Sequence, residues 1–143
     1  MEEKISLKAL TVLLRASQTI DEVLRKDMQQ FHINLTEFAV LELLYHKGEQ
    51  PIQRIGEKIL ITSGSITYVV DKLQQKGYVQ RVSCPTDRRV TFTALTDSGR
   101  AFIEEIFPVH EALVNKIFAV ASEDEKKAVI EVLKKVGKNA KHI

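Results

Sequence analysis

One cysteine, no tryptophan, three prolines and six glycines in 143 residues set the first limits on this chain. The lone thiol, Cys84, excludes an intrachain disulfide, and a reducing cytoplasm is its simplest setting. So few prolines and glycines leave little room for long connections. No apolar run approaches the ~18–20 residues that span a bilayer, so no membrane partner is expected. The start, Met1-Glu2-Glu3-Lys4, is acidic, with no apolar stretch behind a basic one, and a secretory signal is not expected. Charge of one sign is scarce as well. Lys and Arg number 21 against 19 Asp and Glu, a net charge of +2 with a pI near 8.6. That excess is too mild to point to a polyanionic partner, so the placement of charge must decide. His32, His46, His110 and His142 show no close metal-ligand spacing. G-x-S-x-G, P-loop and G-x-G-x-x-G patterns are missing, and the hydroxyls of "SGSIT" have no general base nearby. Neither an enzyme nor a metal or cofactor site is expected.

What is present is a globular composition, 44% hydrophobic and 28% charged. Leu7, Leu10, Leu14, Leu24, Met28 and Phe31 recur in helical steps, and Ile5, Leu13, Ile20 and Val23 widen the stripe. This first helix is apolar over more than one face, more than its own core needs. Thr36 is the expected cap of a second helix ending at Gly48. Pro51 suits the first turn of a short third helix with Ile52, Ile55 and Ile59 inside. After a break at Leu60-Ile61, Thr62 or Ser63 caps a fourth helix that runs to about Lys76, with Gly77 as its stop. Residues 78–84 and 90–95 read as a hairpin turning at Pro85-Thr86-Asp87. Thr96-Asp97 restarts a helix through Phe118, with a kink expected at Pro108. Ser122 to Glu125 forms a capping box for a last helix ending near Lys138. The expected fold is mainly α with a small β-hairpin wing: a winged helix-turn-helix over 34–96, flanked by dimerisation helices at 1–33 and 97–143, in one compact domain. The apolar surface of the terminal helices exceeds one core, which predicts a homodimer.

On the fourth helix Ile66, Val69, Val70 and Leu73 share the core side. Gly64, Thr67, Tyr68, Asp71, Lys72 and Gln75 lie opposite, flanked by Ser63 and Ser65. Small and hydroxyl-bearing residues let a helix approach a groove and bond to base edges and phosphates. A solvated face would look similar taken alone. The hairpin that follows shifts the balance, because it carries Arg88 and Arg89 beyond the helix, and arginine suits phosphate forks and narrow minor grooves. Asp87 could hold an arginine at a fixed angle, and Asp71 could pair with a basic residue of the hairpin. The candidate DNA contacts are therefore Ser63, Gly64, Ser65, Thr67, Tyr68, Lys72, Arg88 and Arg89, with Asp87 positioning the wing.

"PIQRIGEKILITSGSITYVVDKLQQKGYVQRVSCPTDRRVTFTALTDSG", residues 51–99, resembles the winged-helix core of the multiple antibiotic resistance regulators, the MarR family. The matching features are the Ile55-Gly56 pair, "VDKL", "KGYVQR", "DRR" and "LTDSG", in that order and spacing. Gly56 departs from the family's common Ala. The resemblance extends over nearly the whole chain, and "TEFAVLELLYHKG" with "SGSITYVVDKL" is similar to the Gram-positive branch that answers quinones and hydroquinones. It implies a homodimeric repressor, often released by a phenolic compound or an oxidant; the twofold symmetry of a dimer then predicts a near-palindromic double-stranded DNA operator. It also implies that Asp87 and Arg88 are the paired wing residues, with Arg88 in a minor groove. The family's usual ligand cavity would fall near Phe31, His32, Phe38 and Tyr45, although aromatic residues at such a junction also serve as plain core. Cys84, close in sequence to Arg88 and Arg89, could be a redox thiol if its positive neighbours lower its pKa, or a small packed strand residue. The alternative reading is a winged-helix protein-interaction module without DNA binding. Loss of the wing arginines or a bulky acidic fourth helix would favour it, and the sequence has neither.

Overall fold

The computed structural model describes residues 2–59 and 65–143. Helix α1, Glu2–Met28, tightens into a single 3-10 turn at Gln29–Phe31, and His32 adopts a left-handed φ of 59° that ends it. Helices α2 (Leu35–Lys47), α3 (Ile52–Lys58) and α4 (Ile66–Gln75) follow, with strand β1 (Gln50–Pro51) before α3. Strands β2 (Val79–Ser83) and β3 (Thr91–Leu95) form the hairpin, and α5 (Asp97–Phe118) and α6 (Glu123–Lys141) complete the chain. This is a mainly helical winged helix-turn-helix. Internal contacts divide it into two compact units, Met1–His110 and Glu111–Ile143.

Capping chemistry sets the ends of the helices. The cap of α2 is Asn34, not Thr36, which lies inside the first turn and is buried. Asn34 has extended backbone (φ −100°, ψ 172°), so its Oδ1 meets the Glu37 N–H at 2.7 Å while Glu37 Oε1 accepts from the Asn34 N–H at 3.0 Å. Of the caps expected for α4, Thr62 and Ser63 lie outside the described residues, as do Leu60, Ile61 and Gly64. Ser65 serves instead, its Oγ accepting from the Thr67 N–H at 3.2 Å. At the other end Gly77 takes φ +84°; its N–H donates to the Gln74 carbonyl and that of Tyr78 to the Leu73 carbonyl, both at 3.0 Å. That paired pattern is the Schellman stop, which favours glycine at the left-handed position. The capping box of α6 joins Ser122 and Glu125 as expected, and the helix continues past Lys138 to Lys141.

The sheet has three strands in the order β1-β3-β2, one more than a hairpin. Gln50 and Pro51 pair with Thr93 and Phe92, so Pro51 closes an edge strand and caps α3 instead of lying within its first turn. A two-residue edge strand tolerates proline because it asks for few ladder bonds. On the other side Val79 to Ser83 pair with Leu95 to Thr91, and Val79 and Thr93 turn inward.

The core of the first unit gathers Met28 from α1, Leu41 and Leu44 from α2, Ile55 from α3, Val70 and Leu73 from α4, and Ile103 and Ile106 from α5. Its tightest corner is where the wing returns to α5. Thr96 Oγ1 donates to the Gly77 carbonyl at 2.6 Å and accepts from the Gly99 N–H at 3.0 Å. A Cβ on Gly99 would stand 1.9 Å from the Tyr78 carbonyl oxygen, so only glycine fits. Helix α5 continues through Pro108. The second unit contains no buried residue, and Val129, Ile130, Leu133 and Val136 of α6 all stand exposed. Among the described residues no helix is long and apolar enough to cross a membrane.

Candidate nucleic-acid interface

Helix α4 divides as its periodicity predicts. Val69, Val70 and Leu73 are buried and Ile66 packs partly against them, while Thr67, Tyr68, Asp71, Lys72 and Gln75 are exposed. Tyr68 is 61% exposed, and Lys72 Nζ lies 5.4 Å from its ring centroid, one turn further on. A phenol and an ammonium thus occupy one ridge, a pairing that combines a stacking or hydroxyl contact with phosphate charge. Ser65, at the N-terminal end, is exposed while its hydroxyl caps the helix.

The wing tip is a closed turn. The Cys84 N–H donates to the Val90 carbonyl and the Val90 N–H to the Asp87 carbonyl, each at 3.1 Å. Asp87 does not pair with Arg88. Its Oδ1 accepts from the Arg89 N–H at 3.0 Å and from Arg89 Nε at 3.2 Å. The reason is local: a side-chain bond from an aspartate to the N–H two residues on is the natural Asx turn, and it draws the Arg89 side chain in with it. These bonds hold the Asp87 carboxyl below its ordinary range, the Arg89 N–H contributing most. Arg88 is exposed and makes no hydrogen bond or ion pair among the described residues.

Asp71 has the hairpin partner that its position called for. Arg81, on β2, forks one guanidinium between the Asp71 carboxylate and the Gln74 side-chain oxygen, one helical turn apart. At the C-terminal end of α4, Lys76 Nζ donates to the His32 carbonyl at 2.8 Å and to Glu37 Oε2 at 3.0 Å. Arg81 and Lys76 were not among the sequence candidates. The signal for Arg81 was available, since "KGYVQR" places a cation in the first strand opposite "VDKL".

Cys84 is half-buried, and its Sγ lies 3.2 Å from the Thr86 hydroxyl. Its thiol is held below the ordinary value by that side-chain bond first and by the Thr86 backbone next, with burial and then the Asp87 charge opposing them. The expected influence of the arginines is not the cause: the lowering comes from hydrogen bonds to Thr86 and to the Asp87 backbone.

Of the four residues expected near a ligand cavity, Phe31, Phe38 and Tyr45 belong to the core of the first unit and its margin, while His32 is exposed. Phe38 is buried with its ring 4.5 Å from that of His110. Tyr45 packs edge-on to His46 at 5.3 Å, under the guanidinium of Arg100. Phe31 packs partly against the core, and the His32 carbonyl is taken by Lys76. A different cluster forms instead. His46 packs on Phe107, Phe107 neighbours His110, and His110 meets Phe38. Burial pushes the His110 imidazole below its ordinary value, against the pull of Glu42 and Asp27. Buried atoms Asp27 Oδ2 and His110 Nδ1 have no hydrogen-bond partner among the described residues. The i, i+3 step from Phe107 to His110 and the i, i+4 step from Glu42 to His46 carried this signal in the sequence.

A capped helix with an exposed polar ridge, braced against an arginine-tipped hairpin, defines a winged helix-turn-helix DNA-binding protein. Residues 33–91 match the model of the MarR family. The HTH-type transcriptional regulator MhqR of Bacillus subtilis (strain 168) is 53% identical over 141 residues, covering 99% of this chain and 97% of that protein. Among solved structures, Sco3205, a MarR family transcriptional regulator from Streptomyces coelicolor in complex with DNA, superposes with a TM-score of 0.84 at 21% identity, covering 96% of this chain and 87% of that one. Bordetella bronchiseptica BpsR, described with a mechanism for regulation of its DNA binding by 6-hydroxynicotinic acid, has a TM-score of 0.80 at 23% identity, covering 91% and 98%. The chain belongs to the MarR family of DNA-binding transcriptional regulators.

Proposed function

We propose that this chain is a cytoplasmic homodimeric repressor of a near-palindromic operator, released from it by a small phenolic or quinone effector. The observation that carries the DNA half is the pairing of an exposed α4 ridge, Thr67, Tyr68 and Lys72, with an unpartnered Arg88 at the wing tip. In this reading Thr67 and Tyr68 read base edges from the major groove, and Ser63, Gly64 and Ser65 are further contacts to the duplex. Lys72 contacts phosphate, Arg88 enters the adjacent minor groove, and Arg89 holds the turn through Asp87. The Streptomyces neighbour solved with DNA supports a duplex as the partner.

Dimerisation uses the apolar residues left exposed on α1 and α6. Two copies related by a twofold axis would set their α4 helices about 34 Å apart, one duplex turn. The effector would bind beside the ring cluster of Phe38, Phe107 and His110. The buried Asp27 and His110 atoms there offer one acceptor and one imidazole nitrogen to a hydroxylated ring. The Bordetella neighbour, regulated by a hydroxylated aromatic acid, supports that class of effector. Cys84, with its lowered pKa, is a second entry point for a quinone, by thiolate addition at the base of the wing turn.

Gel shifts against the protein's own upstream region test the operator. The two effector routes separate by titrating 1,4-benzoquinone and, independently, a non-electrophilic phenol into the DNA complexes of the parent and of Cys84→Ser. Loss of the quinone response alone assigns the thiol route. Unchanged release by both compounds assigns the ring cluster.

A further inference from the structure

Arg81 lies on β2, outside the exposed ridge of α4 and away from the wing tip, and its side chain is only 29% exposed. Its two bonds run to Asp71 and Gln74, both on α4. Asp71 is half exposed on the same side of the helix as Thr67, Tyr68 and Lys72. An unpaired carboxylate there would repel the phosphates that the ridge approaches. Pairing with Arg81 offsets that repulsion. It also removes Arg81 from phosphate binding, because both sides of its fork are occupied.

The fork has a mechanical consequence. Residues 71 and 74 are one helical turn apart, so a planar guanidinium that bonds both fixes the rotation of α4 about its own axis relative to β2. Strand β2 continues through Ser83 into the turn that holds Asp87, Arg88 and Arg89. The brace therefore sets the angle between the groove-reading ridge and the wing tip. Non-specific binding needs only positive charge near phosphates, whereas specific binding needs the ridge and the tip in register with one duplex at once. We propose that Arg81 is a positioning residue that determines specificity: it sets the ratio of operator to random-DNA affinity without touching DNA. A lysine cannot replace it, since a single ammonium has no fork to divide between the two acceptors.

The test compares Arg81→Lys and Asp71→Asn with the parent on two probes across a salt series. One probe is the duplex enriched by the parent from a random-sequence pool, and the other is a random duplex of equal length. Arg81→Lys is expected to lose roughly tenfold on the selected duplex, the scale of one mismatched base pair. Its random-duplex affinity and salt slope should stay as in the parent. Asp71→Asn should gain on the random duplex, as Arg81 is freed toward phosphate, and its selectivity should fall. A DNA-free arm reads the geometry directly: spin labels on Cys84 and on Gln75→Cys should give a narrow distance distribution in the parent background and a broadened one with Arg81→Lys. Equal losses on both duplexes with a shallower salt slope would make Arg81 a phosphate contact and overturn the proposal. Full selectivity in Arg81→Lys, or an unchanged label distribution, would overturn it as well.

Discussion

Arg88 and Arg89 are neighbours with different occupations. Arg89 is bound to Asp87 through its backbone and its guanidinium, while Arg88 is left to the solvent. A free, fully charged arginine at a wing tip acts on any duplex, so Arg88→Ala should weaken operator and random DNA together and lower the salt slope by about 1. Binding measured across a salt series checks it, and a variant that titrates like the parent would remove Arg88 from the interface. Gly56 gives a prediction of opposite sign. It lies within α3, and an added Cβ would meet Ile66 at 3.6 Å, ordinary contact. Gly56→Ala should therefore raise stability by about 0.5–1 kcal/mol, the conformational cost of glycine within a helix, read from the urea midpoint. The sequence made both arginines visible as wing residues. It could not say which of them Asp87 would hold, because that depends on the turn geometry that offers the Arg89 N–H to the carboxylate.

At the scale of elements, α4 is fastened twice: to the wing by Arg81 and to the start of α2 by Lys76. The second fastening involves a buried charge. Glu37 is 4% exposed, closes the α2 capping box and takes the Lys76 ammonium as its cation. Removing one partner of a buried pair costs about 3–5 kcal/mol, and the third-exposed Lys76 reduces that. Lys76→Met should cost about 2 kcal/mol, and pairing it with Glu37→Gln should recover part of the loss. Urea midpoints at constant m check both, and a strictly additive double variant would contradict the pairing. Helix periodicity, the "DRR" turn and the glycine stop at Gly77 were legible because each is local. The Asn34 cap was missed in favour of Thr36 because both residue types cap well, and only the extended backbone at Asn34 decides between them. The third strand was missed because two residues carry no alternation to detect, and β1 exists only through its pairing with β3. The Lys76 link spans 39 residues to Glu37, a separation that no short-range pattern encodes.

At the scale of the whole molecule, the unresolved demand is apolar surface. On α1, Leu7, Leu10 and Leu14 repeat at helical spacing and are each more than half exposed, whereas Leu24 and Met28 nearer its end join the core. On α6, Val129, Leu133 and Val136 repeat the pattern with no buried residue in the helix. Left in water such stripes favour association, at roughly 25 cal/mol per Å² removed from solvent. In the proposed dimer a twofold partner would cover these stripes and would present two α4 ridges to successive turns of a near-palindromic operator. Light scattering should therefore give a mass of twice 16.2 kDa through micromolar dilution. Leu10→Glu and Leu133→Glu, at 52% and 42% exposed positions outside the core, should shift the protein toward monomer while its helical circular dichroism is kept. Their operator affinity should fall far more than their random-DNA affinity, because a monomer retains its charge but can engage only one half-site. A monomeric parent that still binds a half-site tightly would refute the dimer and leave the apolar stripes of α1 and α6 to another partner.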